Sequence, residues 1–407
     1  MSVNLKPIIV LFLVLGSGAV VFQANSHLTF SILVTIVFLW ILASSKFITV
    51  NIKYAALVVT LVIAVFLTMT LNGDHSRYLS YLNFSARILI PFLVPLLISF
   101  QDFVKIYLRI IIFLAISSLI TFLLLLVVEP TWYRIFPKTV GLTGLEYFNL
   151  FIYVVSDNGQ VSRNSSIFWE PGAFQGFLTL GLLFEIYLYK LSRIKNVVIL
   201  CLASLTTVST TGYIILLILS TTTFIFFKRT KIKKSNLILG LPFVLLCVAF
   251  IAPLFFQSIF AKFGDNNQSS FIRLSSTIVD LTLFFESAFY GLGLSNYLTK
   301  VAETAYLLFF LEMGGSNNSI TYHLAVYGIL LVAPLLWMYA KFCRVLTQNM
   351  MQAMIVFIII MITFSTENFL SSLLWLTLGF YGANSTIKRK NLNISEFNGT
   401  EKEINYG

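Results

Sequence analysis

The chain has 407 residues, 58% hydrophobic and only 11% charged, with a mean hydropathy of +0.91. A soluble protein of this size could not bury so much apolar surface, whereas a bilayer removes the need. The net charge of +11 falls in short clusters between apolar runs, which fits the positive-inside pattern and excludes a nucleic-acid partner. The runs are continuous rather than alternating over ~10 residues, which excludes an outer-membrane barrel. The class is an all-α multi-pass integral membrane protein.

In chain order, Lys6 precedes the run Pro7 to Phe22 with no A-x-A site behind it, so an uncleaved first span is expected. A span needs ~20 apolar residues, fewer where flanking groups snorkel. About twelve candidates follow: 7–23, 28–43, 54–71, 87–101, 106–128, 172–189, 196–209, 212–227, 236–256, 321–340, 350–366 and 369–385. With the N-terminus inside, the basic clusters all become cytoplasmic. They are Lys46 and Lys53, Lys105, Lys190 to Lys195, Lys228 to Lys234, Lys341 and Arg344, and Lys388 to Lys390. Residues 196–227 read as two short spans joined by a turn at Ser209-Thr210-Thr211-Gly212. One tilted span is the alternative, and it would invert everything downstream. Cys201, Cys247 and Cys343 share no far-side loop, so no structural disulfide is expected.

Two long polar loops interrupt the spans. The organisation is an N-terminal bundle 1–128, a first loop 129–171, central spans 172–256, a second loop 257–320, C-terminal spans 321–385 and a tail 386–407, whose residues 391–407 read as disordered. Residues 145–155 are apolar but too short to span, and predict an interfacial or re-entrant helix. Stretches 276–290 and 301–313 mix Phe, Leu and Tyr with acids, and predict amphipathic helices lying on the membrane.

The residues hardest to explain by packing sit at the loop ends. Arg163, Trp169 and Glu170 precede Pro171, which suits a first helical turn. Glu170 then lies beside a helix N-terminus, and Arg163 is a fixed cation able to grip phosphate. Taken singly, each reads equally as a cap or an interfacial anchor. Arg273 lies ahead of Gly291-Leu292-Gly293; its plain reading is a headgroup contact. Asn317, Asn318, Tyr322 and His323 enter the tenth span, where His323 reads as a general base or as an anchor. Glu367 is an acid between two apolar runs, and Glu185 is a weaker candidate of the same kind. Asp74, His75, Arg77 and Arg87 are placed on the same far face. There is no HExxH, no CxxC pair and no DxD cluster, so no metal and no cofactor is expected. Arginines would then offset any pyrophosphate charge.

Together these features resemble the Wzy-type O-antigen polymerases and the related O-antigen ligases. Arg163 through Glu170 into Gly172-Ala173-Phe174 is similar to the family's segment before a middle span. Ser209-Thr210-Thr211-Gly212 is similar to its Thr/Ser-Arg-Thr-Gly turn but lacks the arginine. Arg273 with Gly291-Leu292-Gly293 is similar to its Arg…Gly-Leu-Gly stretch. The ligase histidine position holds Asn317, ahead of Gly328, which favours a polymerase. The resemblance implies a GT-C-like architecture in the bacterial inner membrane, with both termini cytoplasmic. It implies a metal-independent glycosyltransferase that acts on undecaprenyl-pyrophosphate-linked glycans among membrane lipids, alongside a chain-length co-polymerase. Arg163 and Arg273 would hold pyrophosphate, Glu170 or His323 would take the acceptor proton, and Arg77, Trp169, Asn317, Asn318, Tyr322 and Glu367 would line the substrate. The competing classes are an O-antigen ligase, a flippase or other transporter for lipid-linked oligosaccharide, and a membrane scaffold.

Overall fold

The computed structural model describes residues 5–43, 50–128, 132–141, 144–157, 163–227, 268–311, 316, 318–347 and 349–384. The expected span 236–256, Cys247, Asn317 and the tail 391–407 lie outside them. The described chain is mostly helical: α1 (Lys6–Gly16), α2 (Val20–Ala24), α3 (Ser26–Ala43), α4 (Ile52–Leu71), α5 (Tyr78–Leu97), α6 (Phe100–Val127), α7 (Pro171–Tyr187), α8 (Ile194–Thr206), α9 (Thr210–Phe227), α10 (Gln268–Glu286), α11 (Gly293–Phe309), α12 (Ser319–Leu346), α13 (Met350–Thr366) and α14 (Leu373–Ala383). Among the described residues, four stretches are long and apolar enough to cross a membrane: Ile52–Leu71, His75–Leu97, Phe100–Val127 and Ser319–Leu346. Two compact units divide the chain, Met1–Leu33 with Gln101–Phe260 and Lys388–Gly407, and Val34–Phe100 with Ala261–Ile387.

In the first unit, three expectations are corrected. Residues 145–155 are not a helix. They carry β2 (Glu146–Asn149) and β3 (Val154–Ser156), which with β1 (Lys138–Val140) form an antiparallel sheet in the order β1-β2-β3. Phe148 pairs with Val155 across the ladder, and both pack with Leu150, Tyr133 and Tyr153 on Phe122 and Leu125 of α6. Tyr147 and Val154 pack with Val20 and Trp169. A strand buried on both faces loses its alternation, so its apolar run imitates a short helix.

The first expected span, 7–23, is broken after Gly16. Ala19 bridges Phe168, and the Val20 N–H donates to Ile167 O (3.0 Å). Gly18 permits this, because a Cβ there would lie 2.6 Å from the Phe168 ring. The turn after α8 falls at Thr207–Ser209, where Val208 takes φ 48°, and the helix has resumed by Thr210. Gly212 serves close packing instead: a Cβ there would sit 2.5 Å from the Gln175 amide carbon. Two helices do occupy 196–227, and α10 and α11 overlap the helices expected at 276–290 and 301–313 but begin earlier, at Gln268 and Gly293.

In the second unit, α12 is central and packs against α4, α10, α11, α13 and α14. It breaks at Gly328 (φ 69°, ψ −175°). The segment linking α10 to α11 fills the gap with its own backbone. The Ile329 N–H donates to Ala288 O (2.9 Å) and the Leu330 N–H to Phe289 O (3.1 Å), while Ala325 O accepts from the Leu292 N–H (2.9 Å). Helix hydrogen bonds lost at the break are thus remade between segments, as an apolar surround demands. Backbones can approach so closely only because Gly291 and Gly328 lack side chains; a Cβ on either would collide with the other segment's main chain.

Candidate functional site

Arg163, Trp169 and Glu170 belong to the first unit, at the end of the segment that opens α7. Pro171 occupies the first helical turn, and Glu170 is the N-cap residue with extended backbone (φ −155°, ψ 160°). The Glu170 side chain does not bond the helix amides; its Oε1 accepts from Trp169 Nε1 at 3.3 Å. The Tyr147 hydroxyl in turn donates to Trp169 O at 2.9 Å. Phe168 is buried against Phe177 (4.3 Å between ring centroids) and Phe174 (5.5 Å).

Asn164 organises this segment, and the sequence reading assigned it no role. It is fully buried. Its N–H donates to Thr206 O (2.9 Å), and its Nδ2 donates to Ser118 Oγ (3.1 Å) and Thr206 Oγ1 (2.9 Å). Its Oδ1 accepts from the Ser166 N–H (3.0 Å). That ties the loop to α6 and to the end of α8. Arg163 follows the same course, its Nε donating to Thr207 O at 3.2 Å. The turn after α8 has no arginine of its own in the sequence, and a guanidinium reaches it from the loop. Glu185 is a different matter: it is buried and paired with Arg193 (2.9 Å) and Asn196 (2.8 Å), an ion pair that ties α7 to α8.

Arg77, Arg273, Asn318, Tyr322, His323 and Glu367 belong to the second unit. Arg273, Thr277 and Asp280 recur along one face of α10 at spacings of four and three, as the helical period allows. That face meets the N-terminus of α12. Asn318 caps α12, its Oδ1 accepting from the N–H groups of Ile320 (3.1 Å) and Thr321 (3.3 Å), and its Nδ2 reaches Thr277 Oγ1 (3.4 Å). Asp280, fully buried, accepts from Thr321 Oγ1 (2.7 Å) and the Tyr297 hydroxyl (2.9 Å). Burial pushes its carboxyl above the usual range, and the hydroxyls of Ser316, Thr321 and Tyr297 only partly counter that.

Arg273 Nη1 donates to Thr366 O at 3.4 Å, at the C-terminal end of α13. Ser319 Oγ reaches the same last turn, donating to Phe364 O (2.9 Å). Arg273 and the start of α12 therefore share one anchor. Arg273 is half-buried and forms no ion pair with a described residue; its guanidinium carries five donors suited to an anion. Glu367 follows Thr366 and is buried.

His323 is enclosed. It is 2% exposed, with ring centroids of Tyr322, Tyr327 and Phe84 at 5.1, 5.9 and 6.0 Å. Its Nδ1 donates to Ser319 O (2.5 Å), since a carbonyl can only accept. Any proton it takes must arrive at Nε2. Tyr322 is half-buried with its ring 5.2 Å from Tyr297, edge-on. Arg77 is exposed and closes the short 3-10 turn His75–Arg77.

Asp74 anchors that turn. Ser295 donates to it through both its hydroxyl and its N–H (3.1 Å), and the Tyr81 hydroxyl donates at 2.7 Å. Burial alone would raise this carboxyl, yet the donors of Ser295, Tyr81 and the α11 N-terminus outweigh it and hold it below the usual range. Asn164 and Asp280 carry no motif. The nearest sequence signal for Asp280 is its helical spacing from Arg273.

Among the described residues no cluster of metal-ligating side chains occurs. No protein-family model, no curated protein and no solved structure matches the chain.

Proposed function

We propose that this chain is a metal-independent membrane glycosyltransferase that polymerises undecaprenyl-pyrophosphate-linked repeat units into a surface polysaccharide. It would lie in the bacterial inner membrane with about twelve spans and cytoplasmic termini. The observation that carries the reading is Arg273: a half-buried guanidinium, without an ion pair among the described residues, beside the Asn318-capped start of α12. A fixed cation at a helix N-terminus suits a pyrophosphate leaving group.

In the proposed reaction an acceptor hydroxyl oxygen attacks the anomeric carbon of the donor glycan. The bond from that carbon to the phosphate oxygen breaks, and undecaprenyl pyrophosphate leaves with the electron pair. Arg273 is assigned to the developing charge, and Arg163 is the second candidate cation. Glu170 is the first candidate to receive the hydroxyl proton; it is half-buried at a helix N-terminus, and its Oε1 accepts from Trp169 Nε1. His323 is the second candidate base, through Nε2. Arg77, Trp169, Asn318, Tyr322 and Glu367, with Asn317, are proposed to contact the sugars or lipid. The sugar–pyrophosphate bond supplies the energy, so no nucleotide is needed.

The test is purified protein in vesicles supplied with a lipid-linked repeat unit and read as a gel ladder. Arg273→Ala should lower the rate by ~100-fold or more, with Arg273→Lys intermediate because a point charge cannot grip bidentately. An unchanged ladder in Arg273→Ala would sink the reading. One observation favours a flippase: α12 is broken at Gly328, and transporters use broken helices at their binding sites. Translocation of the labelled lipid across the vesicle, with no ladder, would install that reading instead.

A further inference from the structure

The sheet of the first unit carries a feature that the proposed reaction does not use. The turn between β2 and β3 projects Phe151, 92% exposed, next to Ile152, and Ile135 is 83% exposed. Phe136 links them, its ring meeting that of Phe151 edge-on at 6.1 Å. Phe151 holds φ at 59°, a region that bulky residues avoid. A large apolar side chain turned outward in a costly backbone conformation asks for a partner.

We propose that this tip is seated in the surface of the lipid bilayer. The partner follows from what carries the tip. Leu150 and Tyr153, which flank it, pack with Phe122 and Leu125 on the last turns of α6. The other side of those turns is apolar and open at Leu123, Leu126 and Val127, and α6 is long and apolar enough to cross a membrane. The tip is thus carried by a helix whose open side is apolar. Away from the tip the sheet is polar: Lys138 pairs with Glu146 (2.6 Å) and Asp157 (2.9 Å), between the single exposed residues Val140 and Leu145. Arg134, exposed beside Ile135, suits lipid phosphate. Anchored at both α6 and the tip, the sheet would hold a fixed tilt on the membrane, and the neighbouring Trp169–Glu170 segment with it.

The test is a nitroxide attached through Phe151→Cys in the full chain, with Cys201, Cys247 and Cys343 changed to Ser, in vesicles of phosphatidylcholine and phosphatidylglycerol. Asp157→Cys carries the comparison label. Collisions with oxygen should exceed those with a water-soluble nickel chelate several-fold at 151, and the ratio should reverse at 157. Equal nickel access at both positions would overturn the proposal. So would protection from both reagents with a spin–spin broadening that disappears on dilution with unlabelled chain, because a second copy would then cover the tip. Retained oxygen-to-nickel contrast between the two positions also excludes an unfolded sheet as the source of the signal.

Discussion

The two long loops dock in different ways. The first presents a hydrophobic face: Phe148, Leu150, Tyr153 and Val155 lie on α6 by side-chain contact. The second threads its backbone into a broken helix, exchanging main-chain hydrogen bonds at Ala288, Phe289 and Leu292 with α12. Yet both finish alike. Each places an asparagine at a helix end, Asn164 at the end of α8 and Asn318 at the start of α12, and each sends an arginine to a carbonyl at a helix C-terminus, Thr207 O or Thr366 O. Side-chain docking tolerates a lost methyl group by partial collapse. Backbone docking tolerates no added one, because neither main chain can move aside.

Gly328→Ala should break that contrast most sharply. The added methyl meets Phe289 and Gly291 backbone, and φ near 69° is hostile to any side chain. Strain and overpacking together predict a loss on the order of 4 kcal/mol, read as a large drop in thermal midpoint with faster hydrogen exchange across α10 to α12. A midpoint within a degree or two of the parent would show that the two segments do not exchange hydrogen bonds. Phe148→Ala comes next, at about 3 kcal/mol. Its damage should stay in the sheet and the end of α6, seen as protease cleavage near 144–157 while α10 to α12 keep their exchange protection. Spread of the damage to α12 would contradict two separately docked loops.

The smallest effect sharpens the comparison within the second unit. Asp74 and Asp280 are both buried carboxylates, yet they shift in opposite directions. Both feel burial first. Asp74 gains backbone N–H donors at the start of α11, where the helix dipole also favours an anion, whereas Asp280 has hydroxyls only. Because the folded-state pKa of Asp74 is depressed, its contribution is complete at neutral pH and is lost as pH falls through that value. Asp74→Asn should therefore cost about 1 kcal/mol near pH 7, and the gap to the parent should close as pH drops below about 4. A gap that does not change with pH would mean Asp74 acts by shape alone.

The sequence by itself determined the membrane class, the positions of most helices, Pro171 at a helix start, and the arginines as the residues packing could not explain. Composition and the 3.6-residue period are local quantities, and they survive whatever the chain packs against. Expectations failed where a partner distant in sequence decided the outcome. Residues 145–155 became strands because α6 and Trp169 cover both of their faces, and the first span split because Phe168 pairs with Ala19. The same holds for the candidate site. Its arginines were visible as charges in apolar surroundings. Asn164 and Asp280 were not, since each has its meaning only through Thr206 and Ser118, or through Thr321 and Tyr297. A buried polar side chain is defined by the donors and acceptors that reach it, and only the tertiary structure brings those together.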